Sequence, residues 1–540
     1  MSDATGSDYL LAALDAEEVT DLFGLVGEGN AHLLDRTHDH AVDYSYARHE
    51  QVAVGMADGY ARTTGRVGVC TLTHGPGLTN GATGIAAADR DRVPLVVLVG
   101  DTAREGRETS LQYLDHLGLA DPIDVYGTRV ETPGDLPRAL RAAFDAARTR
   151  SGPALVEVPG DIQEAPAPEA TYRPKPRAPQ RVRPDSDRVA DAAAVLDRAE
   201  RPAVLVGGGA RASGAADAVV EVAERLGAPV AATYFAKGLL GDDHPLDAGI
   251  GGTFMTPAAH AVLPEADALL AVGARLSGKS TRYGALFDDA EVVQVDINPE
   301  GIGVHQDPAV GVVADARAAC AALAERVGSH PERAERVRET LRGADDVADL
   351  PTETAPDRVD PREVCLDLSR RFADDATVAV DSGNNTGFPA VFHRLGRGGR
   401  MLVNGNFGTM GYALPAALGA AVAEDDPVCC YTGDGAFLQV IQDVETAVRL
   451  DLPVCVVVLN DESYGIIRHR QEMEYGRETT ASYDSPDLAA TARGLGARAV
   501  TVRSLEDLAV VEDFLADPDG PLVLDVRTIR EVTRPGFPPY

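Results

Sequence analysis

Two short runs of β-branched or apolar residues near the carboxyl end of the chain each lead into an acidic residue. Residues 428–432 run into Gly433-Asp434-Gly435-Ala436-Phe437, and residues 454–459 run into Asn460-Asp461-Glu462-Ser463-Tyr464-Gly465. Runs this short, rich in valine and parted by a helix-length spacer, read as buried parallel strands. They restrict the chain to an open α/β sheet, whose ligands bind at the carboxyl ends of neighbouring strands. Asp434 and Asp461 are therefore expected side by side at that edge. Two hard oxygen donors suit Mg²⁺ that also holds a diphosphate, because Mg²⁺ takes a few carboxylates together with phosphate oxygens. Gly433 and Gly435 let peptide N–H groups come close to such phosphates.

The first third repeats the alternation. Small and apolar residues recur at helical spacing from Val52 to Tyr60, which places Glu50 at a helix N-terminus, where an acid also suits the macrodipole. A strand over 67–72 leads into Thr73-His74-Gly75-Pro76-Gly77, a strand-to-helix turn, then a helix over 81–89 and a strand over 94–99 that ends Gly100-Asp101. His74 either faces substrate or caps the helix.

The Gly-Asp-Gly turn, the spacer and the closing Asn-Asp resemble the metal and diphosphate motif of thiamine-diphosphate (ThDP) enzymes, and more narrowly of their acetolactate synthase-like branch. The likeness extends over nearly the whole chain. Asp461 stands where the motif usually has a second Asn, and remains an oxygen ligand. The resemblance implies that Asp434, Asp461 and the carbonyl of Ser463 hold Mg²⁺, and that Gly433, Asp434, Gly435, Ala436, Asp461, Tyr464 and Gly465 border the cofactor. It implies the same of Gly383, Asn384 and Asn385, whose side-chain amides can donate to the diphosphate, and of Gly408 and Met410. Met410 would prop the cofactor into a bent shape. Glu50 would be the catalytic acid on its aminopyrimidine ring, and His74 and Gln112 would face the substrate.

The fold so implied is α/β, with three doubly wound parallel-sheet domains: pyrimidine-binding (1–165), central (186–345) and diphosphate-binding (360–540). A proline-rich linker over 164–187 and a second over 350–361 join them, and the charged, alanine-rich stretch 315–347 reads as helical. The implied reaction is decarboxylation of a small 2-oxo acid through a ThDP enamine, followed by ligation to a second carbonyl. Glu50 and Asp434 belong to different domains, which in the family come from different subunits. A homodimer or tetramer with its site at a subunit interface is expected.

Two departures bear on the reaction. Acetolactate synthases usually place a tryptophan shortly after the Asn pair, and this chain has none; Ile466 to Gln471 occupy the stretch. They also tend to have lysine where Pro159-Gly160-Asp161 stands. A simple 2-oxo acid decarboxylase resembling benzoylformate decarboxylase is therefore the alternative, and FAD, which some members carry, becomes doubtful. Gly207-Gly208-Gly209 follows a strand but lacks G-x-G-x-x-G spacing and reads as a structural turn, against a nicotinamide oxidoreductase. A degenerate regulatory subunit is disfavoured by intact Glu50, Asp434 and Asp461.

The net charge is −34, and only Lys175, Lys237 and Lys279 among 50 basic residues are lysine. So acidic and lysine-poor a surface is expected of a halophile's protein, since concentrated salt screens its self-repulsion. It also excludes nucleic acid as a partner. Lack of a long apolar run or basic-apolar leader predicts a cytoplasmic protein without a membrane span. The six cysteines lie in apolar elements and read as buried, reduced and without zinc.

Overall fold

The computed structural model describes residues 4–176, 181–241 and 243–536. It contains three six-stranded sheets in which all paired strands run parallel. The first is built from Asp21–Gly24 (β1), Asp43–Tyr46 (β2), Gly68–Leu72 (β3), Leu95–Asp101 (β4), Tyr126–Arg129 (β5) and Pro153–Pro159 (β6), in the order β2-β1-β3-β4-β6-β5. The second uses Pro202–Val206 (β7), Val230–Ala232 (β8), Asp247–Ile250 (β9), Ala268–Val272 (β10), Glu291–Asp296 (β11) and Val310–Val313 (β12), ordered β12-β11-β10-β7-β8-β9. The third uses Thr377–Val380 (β13), Arg400–Val403 (β14), Val428–Gly433 (β15), Val454–Asn460 (β16), Arg498–Val502 (β17) and Leu522–Arg527 (β18), ordered β14-β13-β15-β16-β18-β17.

In each sheet the chain steps to one side and then reverses. The reversal falls between β1 and β3, between β7 and β10, and between β13 and β15. At such a point two connections leave the strand ends in opposite directions and open a crevice. β15 and β16 are apolar over most of their length and buried except at Gly433, as strands covered by helices on both faces are. Cys429 faces one core and Cys430 the other, as the two-residue period requires, and all six cysteines are buried and unpaired.

The first and third sheet units share one apolar core. Its seam is the helix Glu50–Thr64 packed on the helix Ala413–Ala423. Glycines let the backbones touch: a Cβ on Gly59 would lie 2.1 Å from the Ala416 carbonyl oxygen, and one on Gly419 1.9 Å from that of Met56. The stretch expected to be helical over 315–347 is instead two helices, Ala316–Ala324 and Pro331–Arg342. Pro331 starts the second, where its missing N–H costs nothing. The proline-rich linker follows the short helix Gly160–Glu164 without regular structure to residue 176 and resumes at 181; its residues 177–180, including Pro179, lie outside the described residues. No helix among the described residues is long and apolar enough to cross a membrane.

Candidate active site

The crevice of the third sheet opens into a cavity of about 360 Å³. Gly383, Asn384, Asn385, Gly408, Met410, Gly433, Asp434, Gly435, Ala436, Asp461, Ser463, Tyr464 and Gly465 all line it. The sequence motifs thus converge because β13, β15 and β16 are neighbours whose ends lie together.

Gly433 pairs with Leu459, so the two acids leave adjacent strands at nearly the same level. Both are buried. Asp461 Oδ1 accepts from Ser463 N at 3.1 Å and Ser463 Oγ at 3.0 Å. Asp434 Oδ2 is buried with no hydrogen-bond partner. Burial, and then the Asp461 charge, push the Asp434 carboxyl up to about 7; burial takes Asp461 to about 6. Two such buried carboxylates, with the Tyr483 hydroxyl beside Asp434, suit a hard cation that takes oxygen ligands. Two of the surrounding glycines pack tightly. A Cβ on Gly465 would meet Asp461 Oδ2 at 2.3 Å, and one on Gly435 would meet the Tyr464 ring at 2.6 Å.

The two asparagines are more committed than their sequence suggests. Asn384 Nδ2 donates to the Val532 carbonyl at 3.2 Å while its Oδ1 accepts from Arg534 N at 3.1 Å. Asn385 Nδ2 donates to the Asp381 carbonyl at 3.2 Å. Each amide nitrogen keeps one further hydrogen for a ligand. Asp381 itself, fully buried, accepts from Ser382 N at 2.9 Å and Thr432 Oγ1 at 3.0 Å. It also accepts, more weakly, from the peptide N–H groups of Tyr412 and Ala413, where the helix Ala413–Ala423 begins. It ties three cavity-bordering segments together, and burial raises its carboxyl to about 6.

Glu50 does begin a helix. His49 caps it by accepting from Gln51 N at 3.2 Å, and Glu50 accepts from Asn80 Nδ2 at 3.0 Å. Yet among the described residues none before Tyr234 lines the cavity, so within one chain Glu50, His74 and Gln112 do not face it. His74 is not the helix cap either: Gly75 is, with φ +56, and the helix runs Pro76–Asp91. The His74 ring is buried, which lowers its pKa, and its Nδ1 has no partner. Behind this turn His116 Nε2 accepts from Gly75 N at 2.9 Å. His116, Asp101 and Glu157 lie close enough to share a metal. Arg107 and Arg129 already reach into the group, 2.7 Å from Asp101 and 2.6 Å from Glu157.

Sequence reasoning missed Lys279 and Arg534, which line the cavity from the second unit and the C-terminal segment. Lys279 Nζ donates to the Gly405 carbonyl at 3.3 Å. The Arg534 guanidinium sits 5.0 Å over the Phe254 ring with its Nε buried and unpartnered. Neither has an acidic partner among the described residues. Nothing local marks them, because their meeting depends on how distant segments pack.

Three α/β units with an acid-lined crevice at the third switch point have the architecture of an enzyme that binds its ligand at the carboxyl ends of parallel strands. Comparison of the sequence with known families agrees. The N-terminal TPP binding domain of thiamine pyrophosphate enzymes matches residues 4–125, the central domain 189–323 and the C-terminal TPP binding domain 381–526. The chain belongs to the thiamine pyrophosphate enzyme family and is a ThDP-dependent enzyme of acetolactate synthase-like type. It is 31% identical to a probable acetolactate synthase large subunit of Methanocaldococcus jannaschii, over 99% of this chain and 93% of that protein. Against an acetolactate synthase of Arthrospira platensis the identity is 32%, covering 98% and 94%. Against the acetolactate synthase isozyme 3 large subunit of Escherichia coli it is 32%, covering 91% and 88%.

Proposed function

We propose that the protein decarboxylates a small 2-oxo acid with ThDP and Mg²⁺ and joins the product to a second carbonyl compound, as an acetolactate synthase does. The observation that carries this is the buried acid pair beside Gly433, which leaves room for a diphosphate. Bound there, ThDP supplies the carbanion chemistry. Asp434, Asp461 and the Ser463 carbonyl hold the Mg²⁺. The free amide hydrogens of Asn384 and Asn385 reach the diphosphate, and Met410 supports the ring. Lys279 and Arg534 draw the carboxylate of the 2-oxo acid into the cavity.

Glu50 is the proton-exchanging acid on the aminopyrimidine ring, and it comes from a second copy of the chain. What supports a homodimer is the first unit's absence from its own chain's cavity, together with exposed apolar side chains such as Leu111 and Tyr113 beside Gln112 and Tyr464 and Ile467 at the cavity. Glu50→Gln should retain ThDP and lose most activity; wild-type turnover in that variant would remove the assignment.

Ile466 and Ile467 line the cavity where a tryptophan would select the second oxo acid, and this favours simple decarboxylation as the second reading. Incubation with pyruvate separates the two: ligation gives an acetoin-forming acid, decarboxylation free acetaldehyde. The crevice of the second sheet, closed by its own glycines, supports a central unit without flavin, which a visible spectrum of the purified protein tests. We also propose a halophilic protein, and its melting temperature should fall on dialysis from molar KCl into dilute buffer.

A further inference from the structure

The loop that carries Met410 into the cavity is held from outside its own unit. Asp58, Arg62 and Asp91, all from the first unit, form one buried ion cluster: Arg62 lies 2.7 Å from Asp58 and 2.9 Å from Asp91. Arg62 donates to the Val403 carbonyl at 3.3 Å, just before the loop. The Tyr412 hydroxyl donates to Asp58 at 2.7 Å, just after it. Asp91 takes the loop itself, accepting from Asn404 Nδ2 at 2.9 Å, Asn406 N at 3.1 Å and Asn406 Nδ2 at 2.7 Å.

Asn404 relays this hold inward. Its Oδ1 accepts from the peptide N–H groups of Gly408 at 2.9 Å and Thr409 at 3.2 Å, the two residues before Met410. The chemistry fixes which way the amide points: Asp91 and the Ala87 carbonyl can only accept, and the two peptide N–H groups can only donate. Gly408 is at φ +76, a backbone state that glycine adopts without strain. The bend before Met410 is thus held by one asparagine that is itself held by one aspartate.

We propose that Asp91 and Asn404 are positioning residues for Met410, so that the shape of the cofactor cavity depends on the first unit being docked against the third. The proposal rests on the cavity being the ThDP site. Asn404 borders the cavity and Asp91 does not, and neither belongs to the acid pair or to the Asn384–Asn385 turn.

The test uses the purified full-length protein. In Asn404→Ala, cofactor-free, amide exchange at Gly408 and Thr409 should quicken about tenfold, and the dissociation constant for ThDP with Mg²⁺ by calorimetry should weaken about tenfold, as loss of two hydrogen bonds implies. Asn404→Asp alone sets two carboxylates against each other and should bind ThDP no better than Asn404→Ala. Adding Asp91→Asn relieves that repulsion at the cost of the Arg62–Asp91 ion pair, and should make binding at least about threefold tighter than in Asn404→Asp alone. A merely structural clasp would lower the melting temperature without this recovery of affinity. Affinity and exchange within about twofold of wild type in Asn404→Ala, or a paired variant no better than Asn404→Asp, would overturn the proposal. Wild-type protein that binds no ThDP would overturn the cofactor reading beneath it.

Discussion

The second and third sheets each reverse direction, the second after three strands and the third after two, yet their crevices have opposite fates. In the second, Gly209 N donates to the Gly273 carbonyl at 3.0 Å and Gly207 N to that of Val272 at 3.0 Å. A Cβ on Gly207 would lie 2.3 Å from the Gly273 oxygen, and one on Gly273, which has φ +56, only 2.4 Å from Ala210 N. The glycines there bring two turns of the protein together and consume their polar groups. In the third sheet, a Cβ on Gly433 would meet nothing nearer than Asn385 Oδ1 at 3.5 Å. Gly433 leaves space, and two acids border it, while Gly435 and Gly465 make room for the Tyr464 ring and the Asp461 carboxylate. Glycine after a strand thus signals close approach in both cases, but only the neighbouring residues tell whether a ligand or the chain itself makes that approach.

The largest effect should come from Asp434→Ala, which removes half of the clamp. Activity should drop by more than about a hundredfold, beyond what loss of an outer partner costs, and calorimetry should show no Mg²⁺-dependent ThDP binding. Retained binding would mean that the third crevice is not the metal site. Next, alanine at Gly273 should cost about 2–4 kcal/mol in urea unfolding, from the left-handed backbone and the clash with Ala210. Alanine at Gly433 should leave stability nearly unchanged and weaken ThDP binding instead. Equal stability losses at both positions would erase the contrast.

The smallest effect is on pH dependence. In cofactor-free protein the Asp434 and Asp461 carboxyls titrate near 7 and 6, against about 3.8 for an ordinary aspartate. The native state therefore binds more protons than the unfolded chain between those values. Its stability from this pair is full below pH ~4 and is lost as pH rises through 6 to 7. Asp434→Asn removes the main carboxylate, so its stability relative to wild type, measured in EDTA by urea unfolding, should improve as pH rises from 4.5 to 7.5. A difference independent of pH would contradict the burial of these two charges.

Much of this was legible in the sequence where the signal is local. The apolar run into Gly433-Asp434-Gly435 announced β15 and its turn, and Glu50 starts its helix as the periodicity indicated. Long-range commitments were not legible. That Asn384 holds Val532, that Arg534 stacks on Phe254, and that Asp91 reaches Asn404 all depend on segments far apart in sequence, and no spacing rule encodes them. His74 shows the limit from the other side: its place in a glycine-proline turn invites a helix cap, a place that Gly75 takes, while close packing of that turn against Gly29, whose Cβ would lie 2.4 Å from His74 Nδ1, buries the ring.

The seam between the helices Glu50–Thr64 and Ala413–Ala423 has a mechanical consequence. Where backbone rests directly on backbone at Gly59 and Gly419, and Gly55 seats the Pro415 ring, no layer of compliant side chains remains to slide. The first and third units must then travel as a single rigid block. Breathing of the cavity falls to the remaining wall, the Phe254 and Lys279 side contributed by the central unit.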